Sequence, residues 1–123
     1  MAVLDSSAII EILNEGSHCE EILKFEKKLI SSTAICLNEV LVGYPDQDQL
    51  KAITFFDGLE ILPFDAKAGR RSVDVERNLR KKGKMIQKAD IFIASICLAN
   101  SLPLITTDKG FKNIDGLDVW LVE

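Results

Sequence analysis

Between Asp90 and Asp108 the chain runs through seventeen residues, IFIASICLANSLPLITT, without a single charge. A stretch this apolar belongs in an interior, yet it begins and ends on a carboxylate. It is not a membrane span, which takes about twenty apolar residues in a row, because Asn100, Ser101 and Pro103 interrupt it. The interruption divides it into a helix, IFIASICLANS, starting at about Asp90, and a strand, PLITT, ending at Asp108.

The rest of the chain alternates in the same way. AVLD at 2–5 reads as a strand, with Ser6 and Ser7 as N-cap candidates for a helix AIIEIL that closes at Gly16. SHCEEILKFEKKL predicts a second helix with Cys19, Ile22, Leu23, Phe25 and Leu29 near helical spacing, and Ile30 to Thr33 a brief strand. TAICLNEVLVGY predicts a buried helix stopped by Gly43 and Pro45, and PDQDQLKAITFFDG another that ends at Gly58. After a strand LEILPF, residues 65–82 carry Ala68, Ser72, Val75 and Leu79 on one stripe, a long amphipathic helix capped by Asp65 and ending near Gly83. A turn-rich KGFKNIDG and a last strand LDVWLV close the chain. Strands alternating with helices predict an α/β fold, three layers with a mostly parallel central sheet covered on both faces. With 123 residues and no linker or repeat, a single domain over 1–123 is expected.

Cys19, Cys36 and Cys97 form neither a CxxC nor a zinc spacing, which predicts buried thiols in a reducing compartment. An aspartate stands at position 5, before a signal-peptide apolar region develops, so a cytoplasmic location is expected. The formal net charge of −4 argues against simple electrostatic attraction to nucleic acid.

Four carboxylates stand in apolar company. In a parallel sheet the ligand crevice lies outside the carboxyl ends of the strands, and Asp5 and Asp108 each follow a strand. Either alone also fits a local role, Asp5 as a cap and Asp108 as the start of an Asx turn before Gly110. Glu39 has Ile35, Cys36, Val42 and Gly43 three and four positions away, which sets it on an apolar stripe, with snorkelling to the helix edge as the plainer reading. Asp90 has Ile86, Gln87, Ile93 and Ala94 at those offsets, with N-capping as its plainer reading. Ionised carboxylates in apolar sites need a positive partner. No Arg or Lys lies within four residues of Asp5 or Glu39, and the only histidine, His18, falls in a charged segment. One divalent cation would satisfy all four acids, and oxygen-only ligands select Mg²⁺ or Mn²⁺ over zinc.

The order and spacing of four stretches, LDSSAII, SSTAICLNEVLVGY, ADIFIASICLA and LITTDKGFKNIDGLDV, resemble the PIN-domain ribonucleases, in particular the VapC-type toxins of toxin–antitoxin pairs. The resemblance implies Asp5, Glu39, Asp90 and Asp108 as metal ligands and catalytic acids, with Ser6 and Thr106 or Thr107 orienting them. It also implies RNA phosphodiester hydrolysis with Mg²⁺ or Mn²⁺, a small antitoxin partner and a homodimer. SHCEEILKFEKKL or the helix after Pro45 is the expected partner surface. The sequence departs from the pattern at Gly110, where many relatives carry a further acid, and this puts a second metal ion in question.

Removing the four acids takes the net charge from −4 to 0, so the charge that would repel RNA resides in the site itself. Nine of the fifteen basic residues fall between 67 and 88. Arg70, Arg77, Arg80, Lys81 and Lys84 lie opposite Val75 on a helical wheel, a candidate phosphate-binding face or an ordinary solvated one. Phe55, Phe56, Phe64, Phe92, Phe111 and Trp120 are expected in the core. Two alternatives stand beside the nuclease: a PIN-like module that binds RNA or protein without cutting, and a receiver-like signalling domain.

Overall fold

The structure, a computed structural model, describes residues 1–24 and 29–123. Five short strands form one sheet: β1 (Ala2–Leu4), β2 (Ile30–Thr33), β3 (Glu60–Leu62), β4 (Leu104–Thr106) and β5 (Val119–Leu121). Their order is β3-β2-β1-β4-β5 and every pair is parallel, so the sheet is wholly rather than mostly parallel. This order rules out the receiver-like alternative, whose doubly wound sheet runs 2-1-3-4-5. The strand order reverses between β1 and β4, the place where such sheets bind ligands.

The helices are α1 (Ser6–Leu13), α2 (Cys19–Leu23), α3 (Ala34–Gly43), α4 (Gln49–Asp57), α5 (Ala66–Lys82) and α6 (Lys88–Ala99). Right-handed crossovers put α1 to α4 over one face and α5 and α6 over the other. Within those layers α1 meets α2 and α3, α3 meets α4, and α5 packs along α6. The three central strands are buried throughout, and Val3, Leu4, Ile9, Val40, Leu79, Ile91, Ile96, Leu104 and Ile105 form the fully enclosed core. The uncharged run accounts for much of it. In α6, Ile91 and residues 93–97 are buried, Ser101 turns the chain with φ 54, and β4 enters the middle of the sheet. Because α6 runs antiparallel to β4, its start and the strand's end reach the same edge, which brings Asp90 and Asp108 there together.

Local chemistry sets the boundaries. Asp5, not Ser6 or Ser7, caps α1: its Oδ1 accepts the Ala8 N–H at 2.9 Å, and both serines fall inside the helix. Asp65 caps α5 as expected, and Gly83 stops it at φ 66, with the Lys84 N–H on the Leu79 carbonyl. Helix α6 begins at Lys88, so Asp90 stands in its first turn rather than at its cap. The predicted second helix is described in part. Among its described residues Cys19–Leu23 is helical, Ile22 is buried while Leu23 and Leu29 are exposed, and residues 25–28, Phe25 among them, lie outside the described residues.

Trp120 is 39% exposed, against the expectation of a core residue. It belongs to the edge strand β5, where its position faces outward and its indole N–H donates to Asp118 Oδ2 at 3.2 Å. Phe56 and Phe111 are buried as expected, whereas Phe55, Phe64 and Phe92 are half-buried, the last two in ring contact at 4.4 Å.

Candidate active site

The four acids arrive at the carboxyl edge of the sheet from four elements. Asp5 follows β1, Glu39 lies on α3, Asp90 on α6, and Asp108 two residues beyond β4. Helix α3 meets α6, which brings the helix of Glu39 against that of Asp90. They share one electrostatic neighbourhood. Burial pushes the Asp90 carboxyl up to about 6, and the charges of Glu39, Asp108 and Asp5 push it in the same direction. Burial likewise raises Asp5, against the lowering effect of its hydrogen bonds from Thr106, Ser7 and Ala8, and Asp108 adds to the rise.

Neutral donors hold these acids in place. Asp5, 4% exposed, receives the Ala8 N–H and the Ser7 hydroxyl (2.7 Å) on Oδ1 and the Thr106 hydroxyl on Oδ2. Thr106 Oγ1 in turn accepts the Asp108 N–H at 3.0 Å. Ser6 donates to Glu39 Oε1 at 2.7 Å, and Ser7 accepts the Thr107 N–H at 3.0 Å. Ser6 and Thr106 thus bond Glu39 and Asp5 through their hydroxyls, while Thr107 bonds Ser7 through its backbone. Ser7 was not singled out as a partner of Asp5. The sequence offered it only as a helix-cap candidate, and nothing local reveals a partner a hundred positions away.

The plainer readings of Asp5 and Asp108 are also realised. Asp5 is a cap, and Asp108, on the exposed rim, accepts the Gly110 N–H on Oδ1 at 2.8 Å. A carboxylate accepts at about four lone-pair sites, so capping leaves capacity on both residues. At Gly110 a Cβ would come 3.2 Å from that same Asp108 oxygen, so a side chain there crowds the acid.

Among the described residues no ion pair involves any of the four acids. The donor set is therefore oxygen-only, anionic and without a protein cation, which fits a hard divalent ion and not zinc. Also among the described residues, no three acid, imidazole or thiol groups are gathered tightly enough to enclose an ion as they stand. Cys36 lies beside Asp5 and Ser6, but burial raises its thiol to about 11, so it is neither nucleophile nor thiolate ligand at neutral pH.

The basic face of α5 divides. Arg77, Arg80 and Lys81 line a cavity of about 500 Å³ with Asp74 and Asn78, and Arg80 also pairs with Glu76 at 3.1 Å. Arg70 instead lies beside Leu98, Ala99 and Ser101 at the end of α6 remote from Asp90. From Asp90 to Leu98 the helix rises about 12 Å. The C-terminal end of α5 is tied to the loop after Asp108: Lys82 donates to the Asn113 carbonyl at 3.0 Å and pairs with Asp115. Ile86 approaches Gly110, which carries the segment holding Lys84 to the acidic edge.

Comparison with known proteins adds a second line of observation. The profile of the PIN domain family matches residues 2–117. Ribonuclease VapC2 of Rickettsia felis is 33% identical over 94 residues, covering 72% of this chain and 70% of its own. Ribonuclease VapC5 of Mycobacterium tuberculosis is 27% identical over 121 residues, covering 93% of this chain and 87% of its own. Among solved structures, VapBC2 from Rickettsia felis bound to a promoter DNA fragment superimposes with a TM-score of 0.88 at 26% identity, over 99% of this chain and 98% of that one. DNA-bound VapBC from Salmonella typhimurium, at 23% identity, shares the fold with a TM-score of 0.87 over the full length of both chains.

Proposed function

The chain belongs to the PIN domain family, and on that footing we propose that it is a divalent-cation-dependent endoribonuclease, the toxin of a toxin–antitoxin pair. The observation that supports this reading is that the charges of Glu39, Asp108 and Asp5 all push the Asp90 carboxyl up at the switch point of the sheet, with no ion pair to any of the four among the described residues. Those four residues would hold Mg²⁺ or Mn²⁺, with Ser6 and Thr106 orienting Glu39 and Asp5. When bound, the ion supplies an activated water and offsets charge at the phosphate. The protein's own part is to fix the acids by neutral donors, so that their charge stays available. Arg77, Arg80, Lys81 and Lys84 approach the RNA backbone from the side of α5, and their placement toward the Asp108 loop supports that role. Arg70 stands outside this approach.

The named relatives supply the partner. VapBC-5 from Mycobacterium tuberculosis is a member of a family of toxin–antitoxin systems, and by analogy this chain binds a small antitoxin and forms a homodimer. Exposed apolar side chains on α3 and α4, with Val42 76%, Leu50 74% and Ile53 39% accessible, support a protein partner on the helix after Pro45. Among the described residues no helix is long and apolar enough to cross a membrane, and a cytoplasmic site of action fits an RNA target.

The test is cleavage of a mixed single-stranded and hairpin RNA by the purified chain with Mg²⁺, Mn²⁺ or EDTA, beside Glu39→Gln and Asp90→Asn. Cleavage that needs the metal and vanishes in both folded variants is the expected result. Undiminished cleavage in either variant overturns the site, and tight RNA binding without cutting by the parent selects the non-catalytic PIN-like module.

A further inference from the structure

The parallel ladder between β1 and β4 stops just short of the acids. Val3 pairs with Leu104 and Leu4 with Ile105, and the last backbone bond between these two segments is the Asp5 N–H on the Ile105 carbonyl at 3.1 Å. Beyond it no main-chain bond holds residues 107 and 108 to Asp5. Two hydroxyl groups continue the cross-link instead. Thr106 Oγ1 donates to Asp5 Oδ2 and accepts the Asp108 N–H, while Ser7 Oγ donates to Asp5 Oδ1 and accepts the Thr107 N–H. The two oxygens lie 3.3 Å apart. A hydroxyl has one proton to give and two lone pairs to receive with, and Ser7 uses both functions between different elements.

We propose that Ser7 is a positioning residue whose single hydroxyl clamps the Asp5 carboxylate to the backbone beyond β4, and so sets the separation at which Asp5 and Asp108 meet a divalent cation. The two serines after Asp5 divide the work: Ser6 reaches α3 and Glu39, and Ser7 reaches the Asp108 side. Without the Ser7 hydroxyl, Asp5 Oδ1 keeps only its helix-capping bond and the part-buried Thr107 N–H loses its acceptor. The carboxylate is then held by the Ala8 N–H and the Thr106 hydroxyl alone, with its link to Thr107 gone, while α1 remains capped. The proposal rests on reading the four acids as a cation site.

The experiment is Mn²⁺ binding to the full chain, followed by electron paramagnetic resonance of the free ion, for the parent, Ser7→Ala, Ser7→Thr and Val75→Ala. Outer partners of metal ligands typically govern affinity by about 10–100-fold, so Ser7→Ala should raise the Mn²⁺ dissociation constant by that factor while Ser7→Thr, which keeps the hydroxyl, stays within about threefold of the parent. Val75→Ala truncates the core under α5, lowers stability, and should leave Mn²⁺ binding unchanged. Cleavage by Ser7→Ala should recover at high Mn²⁺, because the ligands themselves are intact. Should the alanine variant fold poorly, Ser7→Cys keeps the shape with weaker hydrogen bonds and should weaken Mn²⁺ binding too. Parent-like affinity in Ser7→Ala, or an equal loss in Val75→Ala, overturns the positioning role. A flat isotherm for the parent overturns the cation site and the role of Ser7 with it, an outcome distinct from a bound parent with an unaffected variant.

Discussion

Replacing Asp90 by Asn should stabilise the metal-free protein, a direction opposite to that of most substitutions at a half-buried position. Asp90 titrates at about 6 in the fold against 3.8 as its ordinary value, so the folded state binds its proton more tightly than the unfolded chain. The sign follows by linkage: at pH 3 the group is protonated in both states and costs nothing, and between about pH 4 and 6 the unfolded chain ionises first and stability falls. Above pH 6 the whole penalty is present. Two units at ~1.36 kcal/mol each give ~3 kcal/mol, and halving for solvent screening at a half-buried site leaves about 1.5 kcal/mol. For a chain of 123 residues that corresponds to a melting temperature about 6 °C higher in Asp90→Asn at pH 7.5 with EDTA, and to no difference near pH 3. Excess Mg²⁺ should invert the order, because the parent gains a ligand that only its folded state binds. Thermal unfolding of both proteins at several pH values, with EDTA or Mg²⁺, reads all of this. A variant less stable than the parent at pH 7.5, or a difference that ignores pH, would refute the claim that Asp90 sits charged in a crowded, unneutralised site.

Two further outcomes follow from particular contacts. Arg77→Ala combined with Lys81→Ala should raise KM for RNA with little change in kcat and flatten the salt dependence by about one unit of log–log slope per lost phosphate contact, whereas Arg70→Ala should leave both alone. Steady-state cleavage across a salt series measures this, and an equal effect of Arg70→Ala would remove the assignment to one end of α5. Asp5→Ala should cost about 1–2 kcal/mol through the lost cap of α1, while Asp5→Asn keeps an oxygen on the Ala8 N–H, folds nearly normally and is still inactive. Urea unfolding paired with cleavage separates the two effects, and full activity in Asp5→Asn would exclude Asp5 from the site.

Much of this molecule was legible because its signals are local or periodic. The seventeen uncharged residues announced a buried helix and strand, Ala68, Ser72, Val75 and Leu79 are the buried stripe of α5, and Gly83 ends it where expected. Glu39 was singled out by apolar neighbours one turn away, of which Cys36 is buried and Val42 is exposed. Less was legible where the answer depends on distant partners. That Asp5 rather than Ser6 caps α1 turns on where β1 stops within the sheet, and Trp120 is exposed because β5 is an edge, which depends on strand order. The basic residues of α5 share one side of a wheel with Val73 among them, and periodicity says nothing of which end of the helix approaches the acids. That followed only from Lys82 reaching Asn113 and Asp115.

The choice of donors around the acids carries a physical logic of its own. An arginine or lysine beside Asp5 and Glu39 would relieve their repulsion and stabilise the fold, but it would also cancel the negative field that draws in a cation. Hydroxyl groups and backbone N–H groups do something different: they satisfy lone pairs and fix orientation while leaving net charge untouched. The metal-free domain therefore holds unfavourable charge at its switch point, with Asp90 as the group in which that strain is read most directly. The buried apolar framework of β1, β4 and α6 supplies stability that offsets this cost. If the four acids are the proposed cation site, an ion would gain affinity there from the repulsion it relieves.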